Sequence, residues 1–249
     1  MAWSNLARSL RLEIAHYLDT PYAKNSWSDL HLVSEAAFAG KGTWQQIKYA
    51  TACALEKSRL PVHQASLSSI RQIQRRYHIG IDCSGLVYHL LDHIDRHSGG
   101  EGIYFKIINP DQRFGQFGPR AISADCLTSD TNSLRLRPSD TLQIGDLIRF
   151  DQGRHIMLIT SATRRQITYI HSSQRTKVSG VHYATITITQ PHQSLGDQLW
   201  SDQTKSTQSY TSLFFPHQGD GIYRPRFLAS KKLPTFPLSV ADISAAPET

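Results

Sequence analysis

The sequence has few of the residues that mark several common classes of protein. It contains three cysteines, Cys53, Cys83 and Cys126. This odd number excludes a fully paired disulfide framework and leaves at least one thiol unpaired. No stretch is apolar over the roughly 18 residues that a membrane span needs. Residues 1–17 carry charges within their apolar pattern and so lack the apolar core of a signal peptide.

The sequence also has fewer acidic residues than basic ones. The 20 Asp and Glu residues against 27 Lys and Arg give a formal net charge of +7 and a pI near 9.4. This charge predicts attraction to a polyanion, which could be nucleic acid, an anionic membrane or an anionic cell-wall polymer. The basic residues are scattered and no nucleic-acid-binding motif is present, so we do not expect a nucleic-acid partner.

The missing signal peptide leaves the compartment open. The chain stays in the cytoplasm, leaves by a route without a cleaved signal, or lacks a leader that precedes it. We favour a secreted or cell-wall-directed protein.

The length of 249 residues allows one large domain with insertions. We expect a single domain over 1–229 and a mobile tail over 230–249, because prolines recur in the tail. Apolar residues at helical spacing predict five helices before residue 100. These helices span residues 5–18, 28–40, 44–60, 66–77 and 83–98.

The periodicity changes after a loop-rich region at residues 100–139. Alternating apolar and polar residues predict short strands at 147–150, 155–160, 166–172, 181–189 and 222–228. We expect the last strand at a sheet edge, because Pro225 cannot donate to a ladder. Polar residues 190–221 predict a long loop. Helices followed by an antiparallel meander predict an α+β fold.

The stretch Gly80-Ile81-Asp82-Cys83-Ser84-Gly85-Leu86-Val87 predicts a turn that leads into the helix at 83–98. Cys83 then lies at the helix N-terminus, where unpaired N–H groups and the helix dipole favour a thiolate and lower the thiol pKa. This placement suits a nucleophile. The alternative is a small buried cysteine beside an Asp or Ser N-cap.

Two histidines can complete such a site. His155 begins one predicted strand, and His171 ends the next. In an antiparallel pair the start of one strand lies beside the end of the other, so we expect the two rings to be adjacent at one rim of the sheet. A cysteine nucleophile needs a base, and the base needs a group that orients its ring. His155 and His171 suit these roles.

These residues resemble the NlpC-like papain-fold cysteine peptidases of bacterial cell-wall metabolism. The resemblance rests on the Gly80–Val87 stretch, on Gly145-Asp146-Leu147-Ile148-Arg149-Phe150, on the His155 strand and on Tyr169-Ile170-His171-Ser172. Leu18-Asp19-Thr20-Pro21-Tyr22 also resembles the entry to that domain. The resemblance implies a papain-like fold with Cys83 as nucleophile, His155 as general base and His171 as third member, without metal or cofactor.

The same resemblance implies substrate contacts. Asp82 and Ser84 stand where family members contact the free amine of a short peptide stem, and Tyr22 would border the cleft. For Asp82 the alternative is a helix cap, and for Tyr22 a packed aromatic side chain. The backbone N–H of Cys83 is a candidate oxyanion donor.

The chain departs from the family pattern in three places. A helical insertion over residues 24–78 precedes Gly80; it is a candidate cleft cover, inhibitor-like segment or binding site for a partner protein. Met157 stands where the family usually has a glycine, and it would narrow a substrate pocket if it points inward. The loop at 190–221 is the third addition.

His89, His93 and His97 recur at i, i+4 steps on the helix at 83–98, a spacing that can hold a metal. They lie away from the apolar face and no carboxylate or cysteine completes a zinc set, so we expect a solvated stripe.

Three functions fit these features. The first is a cysteine hydrolase that cleaves peptidoglycan stem peptides, most simply next to D-glutamate. The second is an amidase, deamidase or acyltransferase that acts on protein or lipid as a toxin or effector. The third is a wall-binding or partner-binding module whose triad is vestigial or masked.

Overall fold

The computed structural model describes residues 2–24, 40–112, 115–137, 139–231 and 233–243. The helix predicted at 28–40 lies almost wholly outside these ranges. The α-helices within them are α1 (Ala2–Ala15), α2 (Trp44–Lys57), α3 (Leu67–Arg76), α4 (Cys83–His97), α5 (Ala124–Leu127) and α6 (Arg226–Ala229). None of these helices is long and apolar enough to cross a lipid bilayer.

The strands of the described chain are β1 (Ser133–Arg135), β2 (Thr141–Gln143), β3 (Leu147–Phe150), β4 (His155–Thr163), β5 (Gln166–Ser173), β6 (Gly180–Thr187), β7 (Leu199–Trp200), β8 (Gly221–Pro225) and β9 (Thr235–Ser239). Helices followed by antiparallel strands confirm the predicted α+β class.

The main sheet is antiparallel, with strand order β1-β8-β3-β4-β5-β6-β7. The predicted meander from β3 to β6 is confirmed. The prediction that residues 222–228 form an edge strand is wrong, because β8 lies between β1 and β3. Pro225 is tolerated there as the last residue of β8, opposite Ser133, where a missing N–H donor costs little.

The sheet buries a hydrophobic cluster on each face. On one face, α1 and α4 supply Leu10, Ile14, Leu86 and Leu90. The other face holds an aromatic cluster, which we define as Phe150, Tyr169, Trp200, Tyr210 and their buried neighbours. Because side chains alternate along a strand, β4 and β5 contribute to both clusters.

The aromatic cluster explains two differences from the sequence predictions. Residues 190–221 are not a plain loop, since they include β7 and supply Trp200 and Tyr210 to the cluster. The expected mobile tail does not fit residues 233–243, which form β9 against β2 and bury Leu238 and Ile243. Polar or proline-rich composition does not predict the order of these two segments, because a few buried apolar side chains hold each of them to the domain.

The described part of the 24–78 insertion is helical, as predicted. Thr43 caps α2 and Ser66 caps α3, each accepting a backbone N–H at its own helix start. Ile47, Ala50 and Leu55 of α2 join the cluster that α4 buries. This part of the insertion therefore packs on the domain.

Hydrogen bonds fix the turn that precedes α4. The Ile81 N–H donates to the Pro21 carbonyl at 3.1 Å, and the Asp82 N–H donates to the Gly40 carbonyl at 2.9 Å. The Ser172 hydroxyl, on β5, donates to the Ile81 carbonyl at 2.7 Å. These contacts join the start of α4 to the end of β5, which carries His171.

We predict that Asp146 is essential for stability. Its carboxylate is completely buried, pairs with Arg224 at 2.8 Å through both oxygens, and accepts the Gln143 N–H at 2.8 Å. Asp146→Ala leaves the guanidinium without its partner and should lower the free energy of unfolding by about 3–5 kcal/mol. Urea unfolding measures this change. Asp130→Ala, at an exposed position, should stay within about 0.5 kcal/mol, and equal effects of the two would contradict the prediction.

Candidate functional site

Cys83 is the first residue of α4, as predicted. Asp82 is the N-cap and accepts the Gly85 N–H at 2.6 Å. A side chain at position 85 would not fit, since a Cβ there would lie 2.2 Å from the Gly40 carbonyl oxygen. The helix start is therefore held tightly under the Gly40–Lys41 segment. Cys83 itself is buried, with 6% of its surface exposed.

The thiol of Cys83 does not have the lowered pKa that its helix position predicts. Burial raises its pKa to about 12, and the neighbouring Asp82 carboxylate adds to the rise. Lys41 and the backbone N–H groups of Ile156 and Ser84 favour the thiolate but do not outweigh burial. Loss of hydration is therefore stronger here than the helix dipole.

Lys41 forms a buried ion pair with Asp82, the residue before Cys83. Its ammonium lies 2.8 Å from each Asp82 oxygen and also donates to the Ser84 hydroxyl. Only 8% of the surface of Lys41 is exposed. The cation therefore neutralises the carboxylate that otherwise opposes ionisation of Cys83.

His155 and His171 are adjacent, as the antiparallel pairing predicts. His155 Nε2 lies 2.8 Å from His171 Nδ1, and both residues are buried. Burial and the neighbouring His171 ring lower the pKa of His155 well below its usual value. The pKa of His171 is also lowered, chiefly by burial, although Asp202 opposes the change. Both rings are therefore neutral at pH 7.

Asp202 continues this chain beyond His171. Its Oδ2 lies 3.0 Å from His171 Nε2 and accepts the Tyr169 hydroxyl at 2.8 Å. Its Oδ1 lies 3.1 Å from His182 Nε2. Burial by itself would raise the pKa of Asp202, but the contacts with the His171 and His182 rings outweigh it and hold the pKa below its usual range. Asp202 is therefore an ionised acceptor.

The ionised Asp202 assigns the protons along the chain. A nitrogen that faces a carboxylate carries the proton, so His171 Nε2 donates to Asp202 and its Nδ1 is an acceptor. His155 must then donate from Nε2 to His171 Nδ1. The remaining nitrogen of the neutral His155 ring, Nδ1, is unprotonated. That is the state a general base requires.

The last link of the chain is not closed. Among the described residues, no hydrogen bond joins the Cys83 sulfur to His155, although Ile156, the next residue of β4, presents its N–H to that sulfur. Catalytic hydrogen bonds are often long in ligand-free structures and tighten when substrate binds.

The residues predicted to contact a substrate differ in how far they are buried. Asp82 and Ser84 are buried and hold Lys41, so they are not open to a ligand. Met157 is completely buried in the aromatic cluster, so it is not open to a substrate as was expected. Tyr22 is half-buried, and burial, followed by its proximity to Cys83, raises its pKa.

Tyr22 lines a cleft of about 360 Å³. The insertion contributes Lys24, together with Arg75 and His78 at the end of α3, and Gln174 also borders the cleft. Its described lining is thus rich in basic and polar groups.

The histidine stripe of α4 is not simply solvated. His89 Nε2 contacts the Lys41 carbonyl at 2.8 Å, and His93 Nε2 contacts the Ser9 hydroxyl at 2.8 Å, while His97 is exposed. The first two histidines therefore bind neighbouring segments.

Sequence reasoning missed three residues of the site. His182 could have been found, because β6 pairs with β5 and places it directly opposite His171. Lys41 and Asp202 give no local signal, since one lies in the insertion and the other in a polar segment after β7. Only the folded chain brings them to the site.

Comparisons with protein-family models, with curated proteins and with solved structures find no match to this chain. Inference about its function therefore rests on the residues and their geometry.

We predict that Lys41 controls the reactivity of Cys83. Lys41→Met leaves Asp82 unneutralised, so the thiol pKa should rise further and alkylation of Cys83 at a fixed pH should slow about tenfold. Mass spectrometry of iodoacetamide-treated protein resolves Cys83 from the other two cysteines.

The double variant Lys41→Met/Asp82→Asn is the matched control, because it removes both charges of the pair. It should restore most of the reactivity. Circular dichroism verifies folding, and an unchanged alkylation rate in a folded Lys41→Met protein would contradict the prediction.

Proposed function

We propose that the chain is a cysteine hydrolase with an NlpC-type papain-like fold, and that it cleaves amide bonds of peptidoglycan stem peptides next to D-glutamate. The observation that carries the proposal is the hydrogen-bonded series His155–His171–Asp202 at the sheet rim that the start of α4 meets. Such a series orients a base and assigns its tautomer, which is what a cysteine nucleophile needs.

The proposed reaction proceeds in two stages. The sulfur of Cys83 attacks the amide carbonyl while its proton passes to His155 Nδ1, and His155 then protonates the leaving amine as the C–N bond breaks. Water, deprotonated by His155, hydrolyses the resulting thioester and regenerates the thiol. The Cys83 N–H, in the first turn of α4, has no acceptor within the helix and suits the oxyanion.

In this proposal the described conformation is a resting state. Burial raises the pKa of Cys83 and lowers that of His155, so both shifts oppose transfer of the proton between them. Partial hydration or a substrate that brings the two side chains together would reduce both shifts. The cleft beside Tyr22 is the place where such opening can begin.

The charge of the cleft supports an anionic substrate. Lys24, Arg75 and His78 border it, and the chain as a whole has a net charge of +7. Stem peptides carry free carboxylates within an anionic wall polymer. Electrostatic attraction of this kind speeds encounter more than it strengthens binding.

We predict that Cys83→Ala abolishes hydrolysis of muropeptides. Loss of the nucleophile leaves only binding and oxyanion effects, so kcat should fall by at least about a thousandfold. Digestion of purified muropeptides followed by mass spectrometry measures turnover and identifies the bond that is cut. Cys53→Ser, a thiol on α2, serves as control and should retain full activity. Equal activity of Cys83→Ala and wild type would refute the mechanism.

A second candidate is a binding module whose thiol is masked. Its support is the burial of Cys83 together with the occupation of Asp82 and Ser84 by Lys41. Such a module would bind wall peptides without cleaving them.

The pH dependence of alkylation tests the resting state. Because the raised pKa keeps the thiol protonated, the rate at Cys83 should rise with pH without a plateau below pH 9. A plateau near pH 7 would instead show a preformed thiolate–imidazolium pair. An acyl-trapping peptide probe then separates the two candidates, since a hydrolase becomes covalently labelled at Cys83 and a binding module does not.

A further inference from the structure

His171, His182 and Asp202 bring two imidazole nitrogens and a carboxylate together. The two Nε2 atoms lie 3.0 Å apart, and Asp202 places Oδ2 at 3.0 Å from the first and Oδ1 at 3.1 Å from the second. Neighbouring atoms about 3 Å apart can share an ion that lies roughly 2.1 Å from each, which is the bond length of zinc to imidazole or carboxylate. The group meets the spacing expected of a metal site.

The protons of His182 supply a second, independent observation. Its Nδ1 lies 3.0 Å from the Gly180 carbonyl oxygen, which can only accept, so Nδ1 carries a proton. In a neutral ring Nε2 is then a bare lone pair. That lone pair lies 3.0 Å from His171 Nε2 and 3.1 Å from Asp202 Oδ1. The single proton on His171 Nε2 is then shared among two nitrogen and two oxygen atoms, unless a further cation, either a second proton or a metal ion, lies among them.

The surroundings of the three residues match those of metal ligands. Imidazole ligands commonly donate their second N–H to a carbonyl, and ligating carboxylates are themselves hydrogen-bonded. His182 meets the first condition through Gly180, and Asp202 meets the second through the Tyr169 hydroxyl. The side chain of His182 keeps 13% of its surface exposed, so an ion and a fourth ligand, water, can reach the group.

We propose that His171, His182 and Asp202 form a binding site for a divalent metal ion of the zinc type. Two imidazoles and one carboxylate suit zinc, and an open fourth position remains for water.

Occupation of this site would change the tautomer of His155. A metal on His171 Nε2 leaves its single proton on Nδ1, which must then donate to His155 Nε2. His155 now carries its own proton on Nδ1 and can no longer act as a base. This consequence rests on the proposed function, and it makes zinc an inhibitor of the hydrolase and not its cofactor.

Zinc affinity is measured with the Cys83→Ala protein, in which the sulfur cannot bind the metal and no turnover occurs. Competition with a chromophoric chelator should show one zinc ion per chain, and cobalt(II) should give the visible absorption of a four-coordinate site. His182→Asn and Asp202→Asn should each weaken zinc binding by at least about 100-fold, since even loss of an outer partner costs about 10–100-fold.

Controls separate this site from other histidines and from misfolding. His97→Asn, at an exposed position of α4, should bind zinc as tightly as its parent. Tyr169→Phe removes only the hydroxyl that donates to Asp202 and should weaken binding about 10-fold or more. It provides a test if a ligand variant does not fold.

Two results would overturn the proposal: no binding at 100-fold excess of zinc, or equal zinc affinity in the folded His182→Asn protein and its parent. Either result would mean that a proton, and not a metal ion, lies between His182 and Asp202. Nitrogen-15 spectra of labelled histidines follow the tautomer directly. Zinc should move the His155 proton from Nε2 to Nδ1, and an unchanged His155 signal in zinc-loaded protein would overturn the inhibitory role. Neither readout depends on muropeptide turnover, so failure of the hydrolase proposal is recognised separately.

Discussion

The site depends on the contact between the turn before α4 and the end of β5. The Ser172 hydroxyl donates to the Ile81 carbonyl, while Pro21 and Gly40 accept the N–H groups of Ile81 and Asp82. These bonds fix the position of the start of α4 against the end of β5. Because backbone groups at this depth need partners, the turn has little freedom to move away from the strand.

Burial decides the charge states on both sides of that contact. The Asp82 carboxylate next to Cys83 forms an ion pair with Lys41. The Asp202 carboxylate behind His171 accepts hydrogen bonds from His171 and from the Tyr169 hydroxyl. The Cys83 thiol and the His155 ring between them are neutral in this conformation, chiefly because both are buried. For the proposed hydrolase, this arrangement would fix the outer charges in advance of proton transfer without holding a reactive thiolate at rest.

The additions to the domain contribute to this arrangement. Lys41, in the helical insertion, reaches the start of α4, and Asp202, within residues 190–221, reaches the histidines. The aromatic cluster fixes the second segment by burying Trp200 and Tyr210. Segments that look like insertions along the sequence therefore supply two of the charges that set the electrostatics of the site.

The amino-acid sequence by itself determined the local structure: the helices from their apolar spacing, the meander from its alternation, Asp82 as N-cap, and the adjacency of His155 and His171 from strand pairing. It did not determine the neighbours that come from distant segments. The approach of Lys41 to Asp82 and of Asp202 to His171, the interior position of β8 and the packing of the C-terminal strand were decided by the tertiary structure. The physical reason is that a pKa or a burial state depends on every charge and apolar atom nearby, whereas a sequence pattern reports only neighbours along one helix or strand.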